Sequence, residues 1–176
     1  MKPADEAAFI EFAEAARPRL RRTAYLMCGD WHLASDHVQE GLIRVYVAWP
    51  RLTRQGGELG YARKAVVSAF LDSRRKRSSR EVPSEADVST PSREDVASSV
   101  TARAALLAAL RRLPERQRAC VVLRYFEDLD VAETAATLGC SQGTVKSQTS
   151  KALGSLRSMF DDSPFGELVT EGARSW

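Results

Sequence analysis

The sequence predicts an all-α fold: two small helical domains joined by a flexible linker. Three observations carry this expectation. Apolar residues recur at three- and four-residue steps through most of the chain. No alternation of apolar and polar residues marks a strand. A stretch rich in serine, proline and acids, with almost nothing to bury, divides the chain in two. At 176 residues, 44% hydrophobic and 28% charged, the chain can bury a core on each side of that divide.

The elements follow in order. Residues 6–77 form the first domain. Phe9, Phe12, Ala13, Ala16 and Leu20 set a helical stripe, which Pro18 is expected to kink or restart. Val38, Leu42, Val45 and Trp49 continue the pattern, and Pro50 is expected to close it. "RLTRQGGELG" reads as a glycine-rich loop. In "YARKAVVSAFLDSRRKR", Ala62, Ala65, Val66, Ala69 and Phe70 point inward, and the helix ends in four consecutive cations, Arg74 to Arg77. Residues 78–98 are the linker. Residues 99–160 form the second domain, where "TARAALLAALRRL" resumes helical spacing. Pro114 is expected in the first turn of the next helix, "ERQRACVVLRYFEDL". Asp130 with Glu133 has the spacing of a capping box before "VAETAATLG". Residues 161–176 are a short tail.

Charge is segregated along the chain. Residues 1–80 hold 15 Lys/Arg against 9 Asp/Glu, the linker region 81–100 holds 1 against 5, and residues 101–160 hold 9 against 5. Two basic blocks separated by an acidic one suit a polyanionic partner, because each cation set on a phosphate releases counterions. The same charges also suit a solvated surface.

Other classes find little support. No apolar run is long enough for a membrane span, and "MKPADEAAF" is unlike a signal peptide. Cys28, Cys120 and Cys140 are far apart and unpaired by any CxxC spacing, as in a reduced, cytoplasmic protein. His32 and His37 have no partners at zinc-ligand spacing, so neither a metal nor another cofactor is expected. A nuclease built on Asp30, Asp36 and Glu40 lacks a second carboxylate cluster or a phosphate loop.

"DVAETAATLGCSQGTVKSQTSKAL" has the plan of a helix-turn-helix. A short helix ends at Gly139, and a second is capped by Ser141. Ala135, four before the glycine, and Val145, six after it, suit a tight crossing. Val145, Ala152, Leu153 and Leu156 fall inward; Thr144, Lys146, Ser147, Ser150 and Lys151 fall outward. Such an outward face can donate to phosphates and base edges. A purely structural helical hairpin is the alternative.

Two stretches carry a family resemblance. "ASDHVQEGLIRVY" resembles the core-polymerase-binding helix of extracytoplasmic-function (ECF) sigma factors, close to A-E-D-L-V-Q-E-x-F-x-R-A-Y; Asp36, Val38, Gln39, Glu40, Arg44 and Tyr46 match. "LPERQRACVVLRYFEDLDVAETAATLGCSQGTVKSQTSKAL" resembles the fourth region of the same family. Order, spacing and the missing third region agree over about residues 9–160, in the style of the SigE-like subgroup. The chain departs from the family at Gln148, where Arg is usual, at Ser68, where Asn is frequent, and at His37, where leucine is common.

The resemblance implies a non-enzymatic factor that binds core RNA polymerase and directs it to promoters. Asp36, Gln39 and Glu40 would meet the polymerase. Tyr61, Arg63, Lys64, Ser68, Arg74, Arg75, Lys76 and Arg77 would hold the −10 region and its opened strand. Ser141, Gln142, Thr144, Lys146, Ser147, Gln148 and Lys151 would meet the −35 element. Trp49 suits the core better than base stacking. The resemblance leaves room for an anti-sigma partner. The alternative is a LuxR-type helix-turn-helix regulator, which needs a receiver or ligand domain where residues 1–77 are short and basic.

Overall fold

A computed structural model describes residues 3–78 and 99–161. The expected linker beyond residue 78 and the expected tail beyond residue 161 lie outside the described residues. Among the described residues the secondary structure is helical throughout, in agreement with the predicted class.

Helix α1 runs from Pro3 to Cys28 and α2 from Trp31 to Gln55. Contrary to expectation, Pro18 does not divide α1 and Pro50 does not end α2. An internal proline costs a helix about 3 kcal/mol. Here the buried stripe continues on both sides of each proline, Ala16 and Leu20 in α1 and Trp49 and Leu52 in α2, and packing overrides the local cost. Helix α2 ends at Gly56, whose positive φ of 73° suits glycine and whose N–H reaches the Leu52 carbonyl at 2.8 Å. The expected loop "RLTRQGGELG" therefore shrinks to Gly56 and Gly57, and α3 runs from Glu58 to Ser78.

Asp30 caps α2, accepting the amides of His32 at 2.7 Å and Leu33 at 2.9 Å. The Leu33 amide, and after it that of His32, holds the Asp30 carboxyl below its usual range. This cap is fully present above the ordinary carboxylate pKa and is lost as pH falls through the lowered value.

The three helices enclose one core of Ala13, Leu20, Val38, Leu42, Val45, Trp49, Ala62 and Val66, with Phe9 edge-on to Trp49 at 5.4 Å. A Cβ added at Gly41 would lie 2.6 Å from the Val66 side chain, so α2 and α3 approach as closely as a glycine permits.

The second half comprises α4 (Ser99–Arg112), α5 (Glu115–Val121), a π-helical turn (Val122–Phe126), α6 (Val131–Leu138) and α7 (Gln142–Asp161). Pro114 is the N-cap of α5, one position before the expected first turn. The predicted helix from Glu115 onward widens into the π turn, closed by the Glu127 amide on the Val122 carbonyl five residues back, at 3.1 Å. The capping box at Asp130 and Glu133 is present, each side chain accepting the other's amide at 2.8 Å. Gly139 takes the left-handed conformation (φ 63°) that turns α6 into α7.

The two halves share a core. Met27 of α1 and Val67 and Phe70 of α3 pack with Ala119, Val122, Leu123 and Leu129. Helix α3 is thus sandwiched, with Val66 facing the first core and Val67 the shared one. Arg118, buried in α5, donates to the carbonyls of Arg111 (2.9 Å), Leu113 (3.0 Å) and Met27, joining α4, α5 and the end of α1.

Candidate polymerase and promoter interfaces

Asp36, Gln39 and Glu40 are all exposed on α2. Their i, i+3, i+4 spacing puts them on one strip. Glu40 pairs with Arg44, which also reaches Asp72 at 3.8 Å. The strip borders a groove between α1 and α2 lined by Phe9, Val38, Gln39, Leu42, Ile43 and Tyr46. Ile43, Tyr46 and Val47 are exposed, Val47 at 77%. Uncovered apolar side chains beside polar ones suit a protein interface. Sequence reasoning did not single out Ile43 and Val47; the signal was there in "GLIRVYVAW", a helical run with more apolar residues than one core-facing stripe can use. Asp30, the remaining member of the carboxylate trio, is spent on its helix cap.

The residues expected at the −10 region divide between two faces of α3. Tyr61, Lys64, Ser68 and Arg75 fall on one strip by helical register. Lys64 and Arg75 are exposed there, and Tyr61 and Ser68 half-buried. Arg75 lies 3.5 Å from Asp72. Arg63 lies on the other face, with Val67 and Phe70, turned toward the second half. The side chains of Arg74, Lys76 and Arg77 lie outside the described residues. Trp49 is buried, as the core reading expects. His37 is buried edge-on against Phe70, 5.9 Å between ring centroids, while His32 is exposed.

Helix α7 presents the helix-turn-helix face. Ser141 accepts the Thr144 amide at 3.1 Å, and their hydroxyls lie 2.9 Å apart, so both serve the helix N-terminus. Gln142, Lys146, Ser147 and Lys151 are exposed, and Gln148 is half-buried. Thr144, Ser147 and Lys151 share one strip, and Lys146 and Ser150 an adjoining one, so the polar face is broader than a single ridge. Val145, Ala152 and Leu156 are buried as expected. Leu153 is not: it is 37% exposed, and Phe160 takes the inward place near the end of the helix. Burial pushes the Cys120 thiol up to about 11, which leaves it a packing residue. Among the described residues no group of three or more His, Cys, Asp or Glu could hold a metal, and no helix is long and apolar enough to cross a membrane.

Both halves of the chain are similar to known proteins. Residues 12–80 match the family model of sigma-70 region 2, and residues 103–156 that of sigma-70 region 4. The chain is 36% identical over 151 residues to RNA polymerase sigma-E factor of Streptomyces coelicolor, covering 84% of this chain and 85% of that protein. It is 33% identical over 162 residues to ECF RNA polymerase sigma factor SigE of Mycolicibacterium smegmatis, covering 87% of this chain and 63% of that protein. Among solved structures, sigma factor RpoE of Bartonella quintana, crystallised with the anti-sigma factor NepR, matches with a TM-score of 0.71 over 89% of this chain and 98% of that one. At 22% identity that likeness is one of fold.

Proposed function

Because the chain belongs to the ECF RNA polymerase sigma factors, we propose that its first half meets core RNA polymerase through Asp36, Gln39 and Glu40, and that α3 and α7 meet the −10 and −35 elements. The chain is a non-enzymatic initiation factor that binds core polymerase and directs it to promoters. A LuxR-type regulator is set aside, because the first half is itself a sigma region rather than a receiver or ligand domain. The observation that carries the residue-level reading is the exposed strip of Asp36, Gln39 and Glu40, bordered by uncovered Ile43 and Val47. We place the chain in the cytoplasm, where core polymerase works. We also propose an anti-sigma factor as partner, since the RpoE relative was crystallised with one.

The −35 assignment is tested on Lys146 and Lys151. A lysine that touches only phosphate contributes affinity without preference, and its loss lowers the salt slope by about one. Lys151→Ala does this, because it lies more than two turns into α7. Lys146→Ala, nearer the N-terminus, shifts base preference as well, by about 1–3 kcal/mol at the affected position. Gln148→Arg tightens binding by adding a cation at the edge of the face. The measurement is binding of the full chain with core polymerase to a −35 sequence library across a salt series. If all three variants behave as wild type, α7 does not read DNA.

A further inference from the structure

Glu127 is the most deeply buried acidic residue among the described ones, and the donors to its carboxylate come from the other half of the molecule. It stands at the end of the π turn. The Asp128 backbone reverses with φ 55°, and the Leu129 amide returns to the Leu123 carbonyl at 3.0 Å. The turn thereby projects the carboxylate from the second half into the first. There its Oε2 accepts Arg19 Nε at 3.1 Å and Arg63 Nε at 3.0 Å, and its Oε1 accepts the Thr23 hydroxyl.

Seen from the first half, Arg19, Thr23 and Arg63 form a pre-arranged anion site. Two guanidinium groups and one hydroxyl converge on two oxygens of a single negative group. Two cations against one carboxylate leave the cluster positive, and a tetrahedral phosphodiester offers the same pair of anionic acceptor oxygens. The site is built so that its occupant can leave. The Thr23 hydroxyl lies also 3.1 Å from the Arg19 carbonyl, so it keeps an acceptor without Glu127. Arg19 is half-exposed and can turn to solvent. Arg63 belongs to α3, the helix that also carries Lys64 and Arg75 on a separate face.

We propose that Glu127 occupies, in cis, a site for a backbone phosphate of promoter DNA formed by Arg19, Thr23 and Arg63, so that docking of the two halves and DNA binding at this site exclude each other. This rests on the reading of α3 as a DNA-binding helix. The docked arrangement is then a self-masked state, held by the shared apolar core and latched by one carboxylate. Opening releases Glu127 to water and frees two arginines for DNA.

The test uses the full chain with Glu127→Gln, which keeps the volume without the charge, and Glu127→Arg, which sets a third cation against Arg19 and Arg63. Small-angle X-ray scattering reads separation of the halves. Binding to a short random-sequence single-stranded DNA pool across a salt series reads the phosphate site. Both variants are expected to enlarge the molecule. Affinity rises about tenfold, the factor by which a docked state favoured ten to one masks the site. Adding Arg63→Ala to Glu127→Arg removes the gain. Three results overturn the proposal: no enlargement with either variant, enlargement without a gain in affinity, or a gain that survives Arg63→Ala. Adding Lys64→Ala to Glu127→Arg separates this from the underlying reading. If neither Lys64→Ala nor Arg63→Ala lowers affinity, α3 is not a DNA face and both fail; if Lys64→Ala alone lowers it, only the phosphate site fails.

Discussion

Arg118→Ala lowers the unfolding free energy by about 3 kcal/mol, because it strips one charged donor from three main-chain carbonyls at once. Those of Leu113 and Met27 lie in buried bonds, where an acceptor left unmet carries a full desolvation cost. The planar guanidinium spans all three because its donors diverge in a fixed fork. Arg118→Lys presents a single point charge and is expected to recover only part of the loss. Urea unfolding followed by circular dichroism measures both. A change within about 0.5 kcal/mol of wild type, the range of ordinary surface substitutions, would refute this account of how α4, α5 and the end of α1 are tied together.

The second large effect is at the polymerase face. Asp36→Arg combined with Gln39→Ala is expected to weaken core polymerase binding by about 2–4 kcal/mol, since it sets a cation where an acceptor stood. Both side chains are exposed, so the fold and its thermal midpoint stay as in wild type. Adding Val47→Ser, at a 77% exposed position, weakens binding further without touching the core. A variant with native circular dichroism and undiminished affinity for core polymerase would show that this strip is merely solvated.

What the sequence makes legible is local. The Asp130–Glu133 capping box and the left-handed Gly139 are decided within a few residues, and both stand as the spacing implies. The inward stripe of α3 follows from helical period alone. Pro18 and Pro50 misled because their cost is local while the burial that outweighs it belongs to the assembled core. Leu153 misled in a related way: its period suits the inner face, but the end of α7 buries Phe160 instead. Val67 escapes a reading by period, because a single helical stripe has one buried side and α3 has two. Glu127 was illegible for the most basic reason. In "YFEDLD" it is one acid among three, and its partners stand 64, 104 and 108 positions away. No spacing rule connects them; they meet because the shared core brings the π turn onto α1 and α3. Arg63 is the converse case. The resemblance placed it with the other cations of α3, whereas the fold turns it away from them toward the second half.

In vitro transcription with purified core polymerase on a promoter library tests the central claim most directly. The account predicts that adding this chain produces initiation at a distinct set of promoters sharing −10 and −35 elements, and that core polymerase alone produces none of these starts. Chain-dependent starts should fall sharply with Asp36→Arg/Gln39→Ala and shift in −35 preference with Lys146→Ala. A chain that binds promoter DNA by itself but neither joins core polymerase nor changes where it initiates would contradict the account.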